Sequence, residues 1–249
     1  MLNDAGFCYG LGCFETLRIH QGQALLLEQH IARLEHSATF LAISMPFKSS
    51  EIQTQVHQLI QKEQVKEGKL NMYLSVGKKP GLFTFKTPQF MLKIDDGIQS
   101  LDPVTVSLQE TLYPRSELDT HKTLSYLKNI LEWRHAKGLF PLLYDKQGYL
   151  IEAPIASCLL VKNGGLIQLE HPFRLQGVTE AFLMDIAKEL GIPTQKEAVH
   201  YTDLAHYDEI CFSNATQGVI EVNTVKNTPH LRSQTIVQHL SDAYWAKFR

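Results

Sequence analysis

The sequence predicts an α+β fold built as two α/β lobes, and three observations carry that expectation. Stretches with strand-like alternation are interleaved with amphipathic stretches of helical period. A polar, turn-forming segment around Asp95-Asp96-Gly97 and Asp102-Pro103 interrupts the chain near residue 100. The length of 249 residues allows one large domain or two modest ones, each able to bury a core without disulfides. The expected organisation is a small lobe over 1–98, a linker over 99–104 and a larger lobe over 105–249, with a cleft between the lobes.

In the first lobe, residues 13–19 alternate loosely and read as a strand, Gln21-Gly22-Gln23 as a tight turn, and 24–27 as the returning strand of a hairpin. From Glu28 the period changes, because Ile31, Leu34, Ala38 and Leu41 recur at helical spacing. A second helix is expected over 50–63, with Ser50 able to cap it and Ile52, Val56, Leu59 and Ile60 forming its apolar stripe. Strands follow over 70–76 and 89–94. The second lobe opens with a strand over 104–108 and a helix over 123–137. Strands are then expected over 141–144, 149–152 and 157–161, the first two joined by the turn Asp145-Lys146-Gln147-Gly148. Residues 179–190 form an amphipathic helix ended by Gly191 and Pro193, and a short strand over 209–213 leads into the small polar loop Asn214-Ala215-Thr216-Gln217-Gly218.

Composition removes several function classes. Lys plus Arg total 24 against 26 for Asp plus Glu, so the charge of -2 offers neither a basic footprint for nucleic acid nor an acidic tail. Apolar runs such as 24–27 and 159–161 fall far below the roughly 20 residues needed to cross a bilayer. The start, Met1-Leu2-Asn3-Asp4, lacks the basic patch and apolar core of a secretory signal, so a cytoplasmic protein is the simplest reading. Cys8, Cys13, Cys158 and Cys211 form no C-x-x-C pair and are expected to be reduced and structural. Gly10-x-Gly12 is no dinucleotide loop, because Glu15 stands where the third glycine should fall and a strand follows. Neither a P-loop nor a G-x-S-x-G elbow occurs, and the six-residue spacings of His30 with His36 and His200 with His206 argue against a metal site. A small-molecule substrate is the expected partner, with no nucleic acid and no membrane.

Several features make sense together if the ligand is an aldehyde cofactor carrying a phosphate. Gly177-Val178-Thr179 opens a helix, where unbonded N–H groups and the helix dipole favour an anion. The loop 214–218 offers a second set of small residues with accessible N–H groups, and Arg33 a fork-shaped cation suited to phosphate. Lys122 could form a Schiff base, with Lys128 as a rival. Glu152 could pair with a pyridine nitrogen and strengthen the electron sink.

Longer blocks carry a family resemblance. The opening Gly6-Phe7-Cys8-Tyr9-Gly10-Leu11-Gly12-Cys13-Phe14-Glu15-Thr16-Leu17-Arg18 and then Leu27-Glu28-Gln29-His30-Ile31-Ala32-Arg33-Leu34 resemble the start of the class IV aminotransferases, the fold-type IV pyridoxal-phosphate enzymes. Lys122-Thr123-Leu124-Ser125-Tyr126-Leu127, Gly148-Tyr149-Leu150-Ile151-Glu152, Gly177-Val178-Thr179, Ser213-Asn214-Ala215-Thr216 and Val219-Ile220-Glu221-Val222 follow in the family's order. The resemblance implies the two-lobed fold of D-amino-acid aminotransferases with the site between the lobes, pyridoxal 5'-phosphate as cofactor, and a homodimer. Residue by residue it implies that Lys122, not Lys128, carries the cofactor and shuttles the substrate proton, and that Glu152 faces the pyridine nitrogen. Arg33, Val178, Thr179, Ala215 and Thr216 would hold the phosphate, the last four largely through backbone N–H groups, and Phe14 and Thr16 would line the substrate side.

The chain departs from the family pattern at Leu11, where Asp is usual, Asn71 (a basic residue), Ala153 (Gly), Ser157 (Asn) and Glu180 (Arg). It also begins almost at the first motif, so the family's opening strand is expected to be short or missing, or the numbering to start inside a longer protein. The blocks at 12–16 and 122–131 resemble 4-amino-4-deoxychorismate lyase more than branched-chain aminotransferases, with Thr16, or equally the freed Lys122 or water, protonating the leaving group. That implies release of pyruvate to leave 4-aminobenzoate, for folate biosynthesis. An aminotransferase acting on branched-chain or D-amino acids shares the same residues, and a non-catalytic cofactor-binding paralogue is the third reading.

Overall fold

In the computed structural model, which describes residues 3–78, 87–227 and 235–249, the chain divides into two units. One runs to Gln99 and takes in His121–Tyr126; the other holds Ser100–Thr120 and Leu127–Arg249.

The first unit contains α1 (Ala5–Tyr9), β1 (Gly12–His20), β2 (Gln23–Ala24), α2 (Leu27–Phe40), α3 (Ser49–Glu63), β3 (Gly68–Ser75) and β4 (Gln89–Asp96), with an antiparallel sheet in the order β2-β1-β3-β4. Side chains alternate along β1, as a strand requires. Cys13, Glu15, Leu17 and Ile19 point into the core, while Phe14, Thr16, Arg18 and His20 lie on the more open face. The apolar stripes of α2 (Ile31, Leu34, Ala38) and α3 (Ile52, Val56, Ile60) close over the buried face. The returning strand ends at Ala24 rather than 27, because Leu26 adopts a left-handed φ of 52° and starts α2. At α3 the capping position is Lys48 and not Ser50, with the Glu51 carboxylate accepting the Lys48 N–H at 2.7 Å.

The second unit contains β5 (Val104–Glu110), α4 (Leu127–His135), β6 (Phe140–Tyr144), β7 (Ser157–Lys162), β8 (Gly165–Leu169), α5 (Val178–Glu189), β9 (Thr194–Glu197), β10 (Glu209–Asn214), β11 (Gly218–Val225) and α6 (Thr235–Ala246). Its mixed sheet runs β6-β5-β11-β10-β7-β8-β9. Cys158, Leu160, Ile210 and Phe212 face one core, and Leu159, Val161 and Cys211 face the other, beside α5 and α6. Strands buried on both faces read as unbroken apolar runs, which is why 157–161 is visible in the sequence.

Two expected elements change character. Residues 149–152 form an extended connector joining both sheet edges: Ile151 N–H donates to Leu143 C=O at 2.8 Å beside β6, and Leu150 N–H to Val199 C=O at 2.8 Å beyond β9. Gly148 makes the turn before it at a φ of 90°, where any Cβ would collide with the His200 ring. The helix expected over 123–137 begins only at Leu127. The preceding residues instead lie along β1, with Phe14 N–H donating to Lys122 C=O at 2.9 Å and Leu124 N–H to Gly12 C=O at 2.8 Å. Of the cysteines, which form no disulfide, Cys13, Cys158 and Cys211 are buried, but Cys8 is exposed on α1 and so is not a core residue. No helix among the described residues is long and apolar enough to cross a membrane.

Candidate active site

In the first unit the candidate nucleophile and the candidate substrate residues share one face of β1. The Lys122 backbone is clamped to Phe14, and its Nζ lies 4.5 Å from the Phe14 ring centre and 5.5 Å from that of Tyr126. Phe14 meets Tyr126 edge-on at 5.4 Å and stacks beside Tyr73 at 6.1 Å. An ammonium near aromatic faces is attracted by their quadrupoles, so these rings hold the amine at the sheet surface. The preceding His121 is fixed from α2, stacked on Phe40 at 3.9 Å with His36 at 5.0 Å. Two residues along β1 from Phe14, the Thr16 hydroxyl donates to Asn71 Oδ1 at 2.9 Å. Asn71, the departure from a basic residue, therefore orients Thr16.

Arg33 is held from the core side of the same strand. His30 and Arg33, one turn apart on α2, both face the Glu15 carboxylate. Arg33 donates from Nε and Nη2 at 2.7 Å each, and His30 Nδ1 lies 2.7 Å away. Burial alone would raise the Glu15 carboxyl, but the Arg33 charge and the hydrogen bonds of Arg33 and His30 outweigh it and hold the pKa at about 2. Burial pushes His30 down, so it is a neutral donor to Glu15. Glu15 had no role in the sequence reading. The visible signal was a carboxylate on the core-facing phase of a strand, followed by a basic pair three residues apart on the next helix.

In the second unit, the Glu152 carboxylate is buried. Its Oε1 accepts Arg115 Nη1 at 3.1 Å and its Oε2 accepts the Leu175 N–H at 3.3 Å. Burial raises its pKa to about 7, against the lowering effect of Arg115 and Arg174. Lys128 is engaged elsewhere, with Nζ bonding Asp119 at 2.9 and 3.0 Å and the Pro114 carbonyl at 3.1 Å.

Both candidate phosphate segments meet beside the start of β7. Gly177 is the N-cap of α5 and has no side-chain cap, so the first-turn N–H groups at Val178 and Thr179 are not covered by one. A Cβ at Gly177 would collide with Ser157 Oγ, and Ser157 pairs in register with Ser213 at the end of β10. Glu152 belongs to the same region, joined to β7 by a turn in which Ala153 N–H donates to Ala156 C=O at 2.9 Å. Thr179 Oγ1 and Ser213 Oγ are buried polar atoms without a hydrogen bond among the described residues. In the turn after β10, Asn214 Oδ1 gathers the Thr216 N–H at 3.1 Å, the Thr216 hydroxyl at 3.0 Å and the Gln217 N–H at 2.9 Å. The Thr216 N–H is thus bonded to Asn214, and an anion bound there must share or displace that bond.

The departure at Glu180 is matched by another residue. Glu180 Oε2 pairs with Arg174 Nη2 at 2.8 Å, and both side chains are almost fully buried. A buried carboxylate in the first turn of a helix thus has a counter-ion six residues upstream, which the sequence reading did not foresee. Unit by unit, these groups have the chemistry that pyridoxal 5'-phosphate needs: in the first an amine for an aldehyde, and in the second a buried carboxyl for a ring nitrogen and a helix start with an orphaned hydroxyl for a phosphate.

Comparison with known proteins agrees with that fit. The amino-transferase class IV family pattern matches residues 12–225. The D-alanine aminotransferase of Bacillus licheniformis is 24% identical over 237 residues, covering 90% of this chain and 82% of its own. Among solved structures, a candidate 4-amino-4-deoxychorismate lyase from Legionella pneumophila superposes with a TM-score of 0.90 at 22% identity, covering 99% of this chain and 94% of that one. The branched-chain amino acid aminotransferase of Escherichia coli superposes with a TM-score of 0.89 at 18% identity, covering 100% and 89%.

Proposed function

Because the chain belongs to the class IV aminotransferases, a family of pyridoxal 5'-phosphate enzymes, we propose that it acts as a 4-amino-4-deoxychorismate lyase, releasing pyruvate and leaving 4-aminobenzoate. The observation that carries this reading is the Thr16 hydroxyl, oriented by Asn71 on the same face of β1 as Phe14 and the Lys122 amine above it.

Bound pyridoxal 5'-phosphate supplies an electron sink for the pair left when a proton departs from the carbon bearing the amino group. Lys122 Nζ would supply the amine that holds the cofactor through its aldehyde and would then be the base that takes that proton. Glu152, poised to ionise near neutrality, would pair with the ring nitrogen and keep it protonated. Arg33, Val178, Thr179, Ala215 and Thr216 are the residues that would hold the phosphate, and Glu15 and His30 fix the Arg33 fork. Phe14 lines the substrate side, and Thr16 delivers a proton to the departing pyruvate, a step typically worth about 10²- to 10⁴-fold in rate. The protein works as a cytoplasmic homodimer in folate biosynthesis.

A second reading is favoured by the names of its relatives: an aminotransferase acting on D- or branched-chain amino acids. A paired assay separates the readings. With aminodeoxychorismate, 4-aminobenzoate and pyruvate are expected; keto acid formation from amino acids and 2-oxoglutarate, without 4-aminobenzoate, would reverse the assignment. Bound cofactor with neither product would make the chain a non-catalytic paralogue. Borohydride trapping and peptide mapping should place the cofactor on Lys122, and a label on Lys128 would overturn that role.

A further inference from the structure

The second unit carries a cavity of about 500 Å³ that the proposed reaction does not use, with Arg115, Asp145, Tyr149, His171, Phe173 and Ala198 in its walls. Its size falls within the range of small-molecule sites. Thr111, Gln147 and the exposed Glu170 also line it, and Asp145 and His171 are already engaged. Asp145 Oδ1 accepts the Gln147 and Tyr149 N–H groups at 2.9 Å each, and its Oδ2 faces His171 Nε2 at 3.4 Å. His171 Nδ1 accepts the Phe173 N–H at 3.1 Å, so both ring nitrogens are engaged.

Arg115 is different. Its side chain is only 6% exposed, yet Nη1 alone makes contacts, to Glu152 at 3.1 Å and toward Asp119 at 3.8 Å. Among the described residues, Nε and Nη2 have no hydrogen-bond partner, and they are not sealed from solvent. A guanidinium edge inside a pocket is the donor geometry that receives a planar carboxylate in two parallel bonds. The flanks are apolar: Pro114, Pro172 and the part-exposed rings of Tyr149 and Phe173, while Lys146 stands exposed at the rim.

We propose that this cavity binds a small aromatic monocarboxylate, with its carboxylate on Arg115 and its ring between Tyr149 and Phe173, and that the ligand acts on Glu152 through the shared guanidinium. The direction of coupling follows from charge. Arg115 favours the ionised form of Glu152, so an anion that draws on Arg115 weakens that support and moves Glu152 ionisation to higher pH. The inference does not depend on which reaction the enzyme catalyses.

Benzoate is the probe and benzamide its neutral counterpart. Isothermal titration calorimetry on the full chain should show benzoate binding at one site per chain, with benzamide at least tenfold weaker. Ala198→Trp, at an exposed wall position, should weaken benzoate at least tenfold while leaving pyridoxal 5'-phosphate affinity, read by absorbance, within twofold. Should that variant fold poorly, Lys146→Glu reverses the rim charge and should weaken benzoate about threefold. Equal binding of benzoate and benzamide, no benzoate binding, or affinity unchanged in the folded variant would overturn the site. The coupling is read separately by carbon NMR of the Glu152 carboxyl, whose titration should move upward with benzoate; a titration that stays in place overturns the coupling.

Discussion

Glu15 and Glu152 are both buried carboxylates facing an arginine, yet one is held at about 2 and the other is raised to about 7. Burial therefore does not decide the protonation state; the geometry of the counter-ions does. Glu15 receives two bonds from one guanidinium and a third from His30, all at 2.7 Å. Glu152 receives one guanidinium bond at 3.1 Å and one backbone N–H at 3.3 Å, with Glu180 adding like-charge repulsion. The first arrangement is a structural clamp, and the second leaves a carboxyl able to exchange its proton near neutral pH.

The largest effect should come from breaking the clamp. Glu15→Gln leaves Arg33 facing a neutral amide, and losing one partner of a buried ion pair costs about 3 to 5 kcal/mol. Hydrogen exchange in α2 and β1 measures this locally, and protection unchanged from the parent would remove the distinction between the two carboxylates. The deficit should be flat between pH 5 and 8. Glu15 contributes stability above its ordinary value of 4.5, and that contribution is lost only as pH falls through about 2.

Glu152 should behave in the opposite sense. Between 4.5 and about 7 the folded chain keeps a proton that the unfolded chain has released, so this group's contribution falls as pH rises through that window. Relative to the parent, Glu152→Gln should gain about 2 to 3 kcal/mol on going from pH 5 to pH 8, at 1.36 kcal/mol per unit over the roughly two units up to pH 7, while the unpaired Arg115 costs the variant the same at both ends. Urea unfolding followed by tryptophan fluorescence suits the test, because Trp133 and Trp245 both lie in the second unit. An offset that does not vary with pH would mean that Glu152 is ionised throughout, like Glu15.

The same contrast explains what the sequence revealed and what it concealed. Period and turn chemistry made β1, α2, α3, β7 and α5 visible, because one apolar face or a doubly buried run forms each of them. β8, β9, β11, α1 and α6 escaped, being short, or next to glycine-containing turns, or partly polar along their length. The late start of α4 was not legible at all, since the bonds that draw Lys122 onto β1 join residues more than 100 positions apart. Site residues inside contiguous blocks, such as Lys122, Arg33 and Glu152, were named, whereas their partners were not. Arg115 and Arg174 act through space from loops and Asp119 from a single 3-10 turn, and a lone charged residue in such a segment carries no period.

The smallest effect should come from the rival lysine, which refines the Glu152 side of the comparison. Lys128 is 32% exposed and pairs with the more buried Asp119, which also lies 3.8 Å from Arg115. Part-exposed ion pairs of this kind contribute roughly 0.2 to 1 kcal/mol, so Lys128→Ala should cost no more than that in urea unfolding. Cofactor trapping should remain on Lys122. Without Lys128, Asp119 can draw Arg115 toward itself and away from Glu152, so the pH at which Glu152 ionises should rise slightly. A carboxyl NMR titration of Glu152 in this variant reads that shift directly. A fall would mean that Asp119 pushes Arg115 toward Glu152, and that the weak pairing at Glu152 has another cause.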